Sequence, residues 1–148
     1  MPAATKGGGR AKVKILGHKE SAANIMRMSP AVRRAFFDQI VEIAGEMLRR
    51  AEDVYVPVLS GDLKGTAAQE IFPGRFPSTT IGFGGPAAPY AGLQHENLFF
   101  KHRAPQQAKY LEKAVEDFEP TMAAKLAIAV RAETELYRMT GGNYGRAG

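Results

Sequence analysis

Apolar residues recur every three or four positions along two long stretches of this chain and alternate with polar ones along short stretches between them. The first long stretch opens at Ser29-Pro30. A serine hydroxyl there accepts a hydrogen bond from a free N–H of the first turn, and proline at the first helical position gives up no bond. Beyond it Val32, Phe36, Ile40, Ile43, Met47, Ala51 and Val54 keep helical spacing, while Arg33, Arg34, Asp38, Glu42, Glu46, Arg49 and Arg50 fill most other positions. The spacing predicts an amphipathic helix over 29–55, ending before Pro57. Phe37 and Val41 widen its apolar stripe; core packing accounts for most of such a stripe, and its edge is kept as a candidate contact with another chain. The second long stretch runs from Gln106 to about Met139 on Ala108, Leu111, Val115, Phe118, Met122, Leu126, Ala129, Val130 and Leu136. Pro120 interrupts it and is expected to kink or split the helix, because it lacks a donor and collides with the preceding turn. Thr140-Gly141-Gly142-Asn143 ends it.

The short stretches read as strands. Lys12-Val13-Lys14-Ile15-Leu16-Gly17 alternates charged and apolar residues up to a glycine. Residues 18–28, with Ala22, Ile25 and Met26, suit one or two helical turns. Glu70-Ile71-Phe72-Pro73 and Thr79-Thr80-Ile81-Gly82-Phe83-Gly84 form a hairpin around Gly74–Ser78, and Gly82 inside the second strand marks a bulge or a close backbone approach. Between helix and hairpin, Pro57 to Lys64 is a turn leading into a short helix, with Gly61 in the turn, Ser60 or Asp62 as cap, Leu63 as its one apolar anchor and Gly65 limiting its length. Gly85 to Pro89 is a loop, Tyr90 to Glu96 a short helix or turn, and Asn97 to Arg103 irregular. No internal repeat is present. The order of strand, long helix, hairpin, long helix predicts an α+β domain over 12–139 in which two long helices pack on a small antiparallel sheet. A basic arm (1–11) and a tail (140–148) flank it, both expected to be flexible.

Composition narrows the class. The chain has 148 residues, 45% of them hydrophobic and 24% charged, which suits one globular domain with a substantial core. It contains no cysteine, so disulfides, thiolate metal sites and cysteine nucleophiles are excluded. No apolar run approaches a membrane span, and the first residues lack the apolar segment of a secretory signal. A reducing compartment, or a particle assembled in one, is the expected setting. Of the formal +5 charge, much sits in Lys6, Arg10, Lys12, Lys14 and Lys19, ahead of the first acid, Glu20. Such an arm is a solvated terminus first and a phosphate-neutralising segment second. Arg10, Lys12 and Lys14 are the candidate nucleic-acid contacts.

Little here speaks for catalysis. The histidines are His18, His95 and His102. His95-Glu96 begins like a zinc-protease motif, but the second histidine that would share a helical face with the first is missing. Neither a phosphate loop nor a nucleophile elbow occurs, and the carboxylate pairs Glu116-Asp117 and Glu133/Glu135 fall where solvated helical faces are expected. No metal, cofactor or catalytic residue is assigned. The informative segment is Tyr90 to Arg103, where Tyr90, Leu93, Leu98, Phe99 and Phe100 mingle with His95, Glu96, Lys101, His102 and Arg103. In an irregular segment such residues plug the core or form an adhesive patch; two of the five apolar ones are expected in the core, and burying all five would take unusual loop burial in a domain of 148 residues. The candidate subunit or partner interface is therefore Phe37, Val41, Tyr90, Leu93, His95, Glu96, Leu98, Phe99 and Phe100.

These landmarks, in this order, resemble the head–tail joining or tail-completion proteins of long-tailed bacteriophages, a family of minor capsid and tail components. The glycine-ended strand Val13–Gly17 precedes a long helix. Pro57, Gly61 and Leu63 match the family's proline, glycine and leucine segment, and Thr80-Ile81-Gly82-Phe83 its apolar-glycine strand. Tyr90-Ala91 with His95-Glu96 matches its tyrosine-alanine pair and downstream glutamate, and Lys109-Tyr110-Leu111-Glu112-Lys113-Ala114 the start of its last helix. The resemblance spans residues 13 to 137. Asn97-Leu98 replaces the family's glycine-threonine, and the Leu98–Arg103 insert and Pro120 are departures.

The resemblance implies a virion protein without an active site. It would assemble in the host bacterial cytoplasm and reside in the phage neck as a connector or tail terminator. It would form a homo-oligomeric, six-fold ring between the portal side and the tail tube, through which DNA passes with transient, nonspecific phosphate contacts and no membrane association. Such a ring repeats one heterologous contact, so each copy needs two different complementary patches. On the residues alone, a nonspecific nucleic-acid-binding module and a small enzyme using His95 and Glu96 stay open.

Overall fold

A computed structural model describes residues 11–14, 27–58, 61–74 and 77–139 of the protein. The elements are β1 (Ala11–Lys14), α1 (Pro30–Arg50), β2 (Ala68–Phe72), β3 (Ser78–Phe83), α2 (Ala91–Glu96) and α3 (Tyr110–Met139). The fold is α+β, a three-stranded antiparallel sheet packed against the long helices α1 and α3. The N-terminal arm with Arg10, residues 15–26 with the rest of the expected first strand and the helical turns after it, Ser60, and the tail from Thr140 lie outside the described residues.

Ser29 caps α1 as the sequence predicts, its Oγ accepting from the Val32 N–H at 3.3 Å, with Pro30 in the first turn. The helix does not stop at Arg50. It continues as a π-turn over Ala51–Tyr55, closed by the Val56 N–H bonding to the Ala51 carbonyl at 2.8 Å, and Pro57 prevents further winding. Leu63 is buried, as an anchor should be, and Gly61 takes φ 86°, which a side chain would disfavour. The short helix after them is a single 3-10 turn, Lys64–Thr66. The residue at its N-cap is Leu63, with no side-chain cap bond.

The sheet order is β1-β3-β2, so the last strand in sequence lies in the middle. Ala11 faces Phe83 across one ladder, and Ala68 faces Gly82 across the other. β2 begins at Ala68, two residues before the apolar signal. Gly82 marks the close approach expected of it: a Cβ there would sit 2.7 Å from the Ala11 carbonyl oxygen. Alternation puts Thr79, Ile81 and Phe83 on the buried face. Against them pack Ile43, Ala44, Met47, Leu48 and Ala51 of the first helix with Tyr110, Leu111 and Ala114 of the last. Ile43, Met47, Ile81 and Leu111, all but fully buried, contribute about 1.5–3 kcal/mol each, so the core rests on a few positions of α1, β3 and α3. Gln69 seals the polar edge. Its Nε2 donates to the Val41 carbonyl at 2.9 Å and to the Thr79 Oγ1 at 3.1 Å, which in turn donates to the Glu70 carbonyl.

Two boundary expectations are corrected. α3 starts at Tyr110, not Gln106, because residues 97–109 loop back to fix α2 first. α3 is also not split at Pro120; the helix runs unbroken through it to Met139. Phe118, Met122 and Leu126 pack on the core on both sides of the proline, so tertiary contact holds the helix where local preference would break it.

Candidate functional site

The exposed apolar residues cluster after β3. α2 is a six-residue helix whose inner side is fixed by Ala91, buried, with its carbonyl accepting the Tyr110 hydroxyl at 3.1 Å. His95 is 5% exposed and lies edge-on to the Tyr110 ring, centroids 4.7 Å apart, while Tyr110 meets Phe83 in the same manner at 5.4 Å. Burial pushes the Tyr110 phenol far above its ordinary value, so it serves as a neutral donor.

Lys109 closes the segment. Its N–H donates to the His95 carbonyl at 2.7 Å from a left-handed backbone, φ 57°. Its ammonium bonds Glu96 and, at 3.1 Å, Glu112. Glu96 also meets His95 Nδ1 at 2.7 Å. Lys109 first, and His95 second, hold the Glu96 carboxyl below the usual range, and Glu96 in turn raises the Lys109 ammonium.

From this clamped base the apolar side chains point outward. Phe99 is 94% exposed, Leu98 71% and Leu93 60%, with Tyr90 and Phe100 less so. An open hollow of about 440 Å³ lies beneath, lined by Leu98, Phe100, His102, Gln106 and Lys109 among others. Nε2 of His95 and of His102 is buried without a hydrogen-bond partner among the described residues.

Tyr90, Leu93, Leu98, Phe99 and Phe100 are thus all exposed, and Leu98 and Phe100 line one hollow, whereas His95 is buried. His95 was grouped with the interface by sequence, but it is a core residue whose ring supports the segment from below. Glu96 stays at the surface, engaged by Lys109. Phe37 and Val41 are half-buried on α1 and belong to a different part of the molecule. Lys12 is exposed, 3.9 Å from Glu70 on the outer face of the sheet; Lys14 lies opposite Thr80.

The Glu116-Asp117 pair divides. Glu116 is solvated, 3.7 Å from Lys113. Asp117 instead accepts from the Tyr55 hydroxyl, from Arg50 Nε at 3.2 Å and from Lys113 at 3.0 Å. Tyr55 above all, then Lys113, holds its carboxyl down at about 2. It ties α3 to the end of α1 and the π-turn, which sequence reasoning missed because Tyr55 and Arg50 lie more than sixty residues away. The left-handed Lys109 and the exposed edge of β2, with Ile71 and Phe72, were also missed; a lysine gives no backbone signal, and edge position depends on strand order. Glu135 is exposed beside Arg138 at 3.8 Å.

Chemically, the arrangement presents adhesive surface. Among the described residues, no group of three or more His, Asp or Glu could hold a metal ion, and no helix is long and apolar enough to cross a membrane. Comparisons with protein-family models, with curated proteins and with solved structures gave no match.

Proposed function

We propose that this protein is a structural subunit of the neck of a long-tailed bacteriophage, a head–tail joining or tail-completion protein that closes into a ring and lets DNA pass. It acts by binding copies of itself and the neighbouring portal-side and tail-tube components, and it transforms no molecule. The resemblance of residues 13 to 137 supplies the class. The observation that carries the reading is the outward set of Tyr90, Leu93, Leu98, Phe99 and Phe100 on a base that His95, Glu96 and Lys109 hold fixed. At about 200 Å² per large side chain, their exposed fractions amount to roughly 600 Å². That sum compares with the ~800 Å² that each partner contributes to a stable interface. Apolar surface so held is shaped for a partner.

Native mass measurement tests the reading. The wild-type chain is expected as a closed oligomer, and Phe99→Asp as a monomer with unchanged circular dichroism. A wild-type chain that stays monomeric at every concentration and is missing from assembled particles overturns it.

A further inference from the structure

The geometry points to a specific joint between neighbouring copies: the segment Phe99–Lys101 of one chain adds as a fourth strand to the outer edge of β2 in a second copy. The pairing is antiparallel, with Phe99 facing Phe72, Phe100 facing Ile71 and Lys101 facing Glu70. This rests on the ring reading above and names the surfaces that would build the ring.

The acceptor is an open sheet edge. Among the described residues β2 pairs with β3 alone, so its outward N–H and C=O groups have no strand beside them. Edge strands are usually blunted by charges or proline. β2 has one charge, Glu70, beside two apolar side chains left half in water, Ile71 at 50% and Phe72 at 49%. The donor has matching needs. Among the described residues, Phe100, Lys101 and His102 make no backbone hydrogen bond, and the neighbouring Phe99 is the most exposed large apolar residue. Pro105 ends the run, since it brings no donor to a ladder.

The faces agree. On β2, Glu70 and Phe72 lie on the outer face with Lys12, while Ile71 shares the opposite face with Ile81's side of the sheet. In the free chain Phe99 lies in a turn, its N–H donating to Asn97 Oδ1 at 2.9 Å, and Phe100 at a bend; drawn out on the edge of β2, Phe99 and Lys101 would alternate with Phe100, so one register places aromatic on aromatic, aromatic on isoleucine and cation on carboxylate. Such cross-strand pairs are the stabilising unit of a sheet.

Charge selects this contact over symmetric ones. Residues 97–105 carry Lys101 and Arg103 and no acid. Two copies of that segment laid on each other would gather four cations, and two β2 edges paired about their centre would set Glu70 against Glu70. Donor on acceptor pairs opposite signs. α2, from whose end the donor segment leaves, packs beside β1, at the edge of the sheet away from β2. A contact between two different surfaces repeats head to tail, as a ring requires.

The chain has no cysteine, so paired cysteines report the joint cleanly. Full-length Glu70→Cys and Lys101→Cys variants, mixed and oxidised, are expected to give a disulfide dimer containing one of each, and neither alone a comparable yield. In native mass titrations Glu70→Lys or Lys101→Glu weakens self-association at least about tenfold, and the double reversal restores it to within about threefold of wild type. Thermal melts check that each variant folds. If the wild type forms an oligomer but the mixed disulfide does not appear and the reversals change nothing, this joint is wrong while the ring reading stands. A dominant Glu70→Cys homodimer likewise overturns it. A wild-type monomer under all conditions overturns both.

Discussion

The Lys109 N–H donates to the His95 carbonyl at 2.7 Å from a backbone turned to φ 57°, so the end of α2 and the start of α3 are joined by a residue held in an unfavourable conformation. The left-handed region costs an L-residue about 1–2 kcal/mol that glycine does not incur. Lys109→Gly is therefore expected to be more stable than Lys109→Ala by about 1 kcal/mol, against the usual order for these residues. Both lose the ammonium contact with Glu96, so urea denaturation of the two variants isolates the backbone contribution. Equal midpoints would mean that Lys109 bears no such strain.

Asp117 makes the fold sensitive to acid. Its folded value, about 2, lies below the ordinary 3.8, with Tyr55 as the main cause. A depressed carboxyl contributes stability that is present above the unfolded value and is lost as pH falls through the folded one. Glu96 is shifted in the same direction by Lys109. Stability should accordingly fall between about pH 4 and pH 2. Asp117→Asn should be less stable at neutral pH and flatten that slope, as read from melting temperature against pH.

Gly82 sits where no side chain fits. A methyl group there meets the Ala11 carbonyl at 2.7 Å, and β1 has to move off β3 to admit it. Gly82→Ala is expected to cost about 1–3 kcal/mol. Hydrogen exchange should show lost protection in β1 first. Unchanged protection there would locate the relaxation elsewhere.

The parts of the fold legible in the sequence are those set by local rules. Ser29-Pro30 starts α1 because a cap and a first-turn proline act within three residues. Gly82 announced a close approach because a glycine in a strand has little other use. Leu63 was recognisable as an anchor because it stands alone among polar neighbours. What escaped depends on partners distant in sequence. Asp117 looks like any solvated helical carboxylate until Tyr55 and Arg50 arrive beside it. His95 looks like surface beside Glu96, yet the Tyr110 ring claims it for the core. Pro120 looks like a break, yet the contacts of Phe118, Met122 and Leu126 hold α3 together across it. Of the candidate interface, the exposed aromatics were readable from composition, whereas the open edge of β2 follows from strand order, which adjacency in sequence does not reveal.

That strand order also bears on how the chain is made. β3 lies between β1 and β2 but is the last of the three to leave the ribosome, and Ala11 finds its mate only when Phe83 has been synthesised. Until then neither earlier strand has a ladder to join, so a nascent chain stopped before Ser78 exposes two lone strands and no sheet. Translation through β3 is the moment at which the sheet can first close, and a pause just upstream of it would leave Ile71 and Phe72 open to other chains.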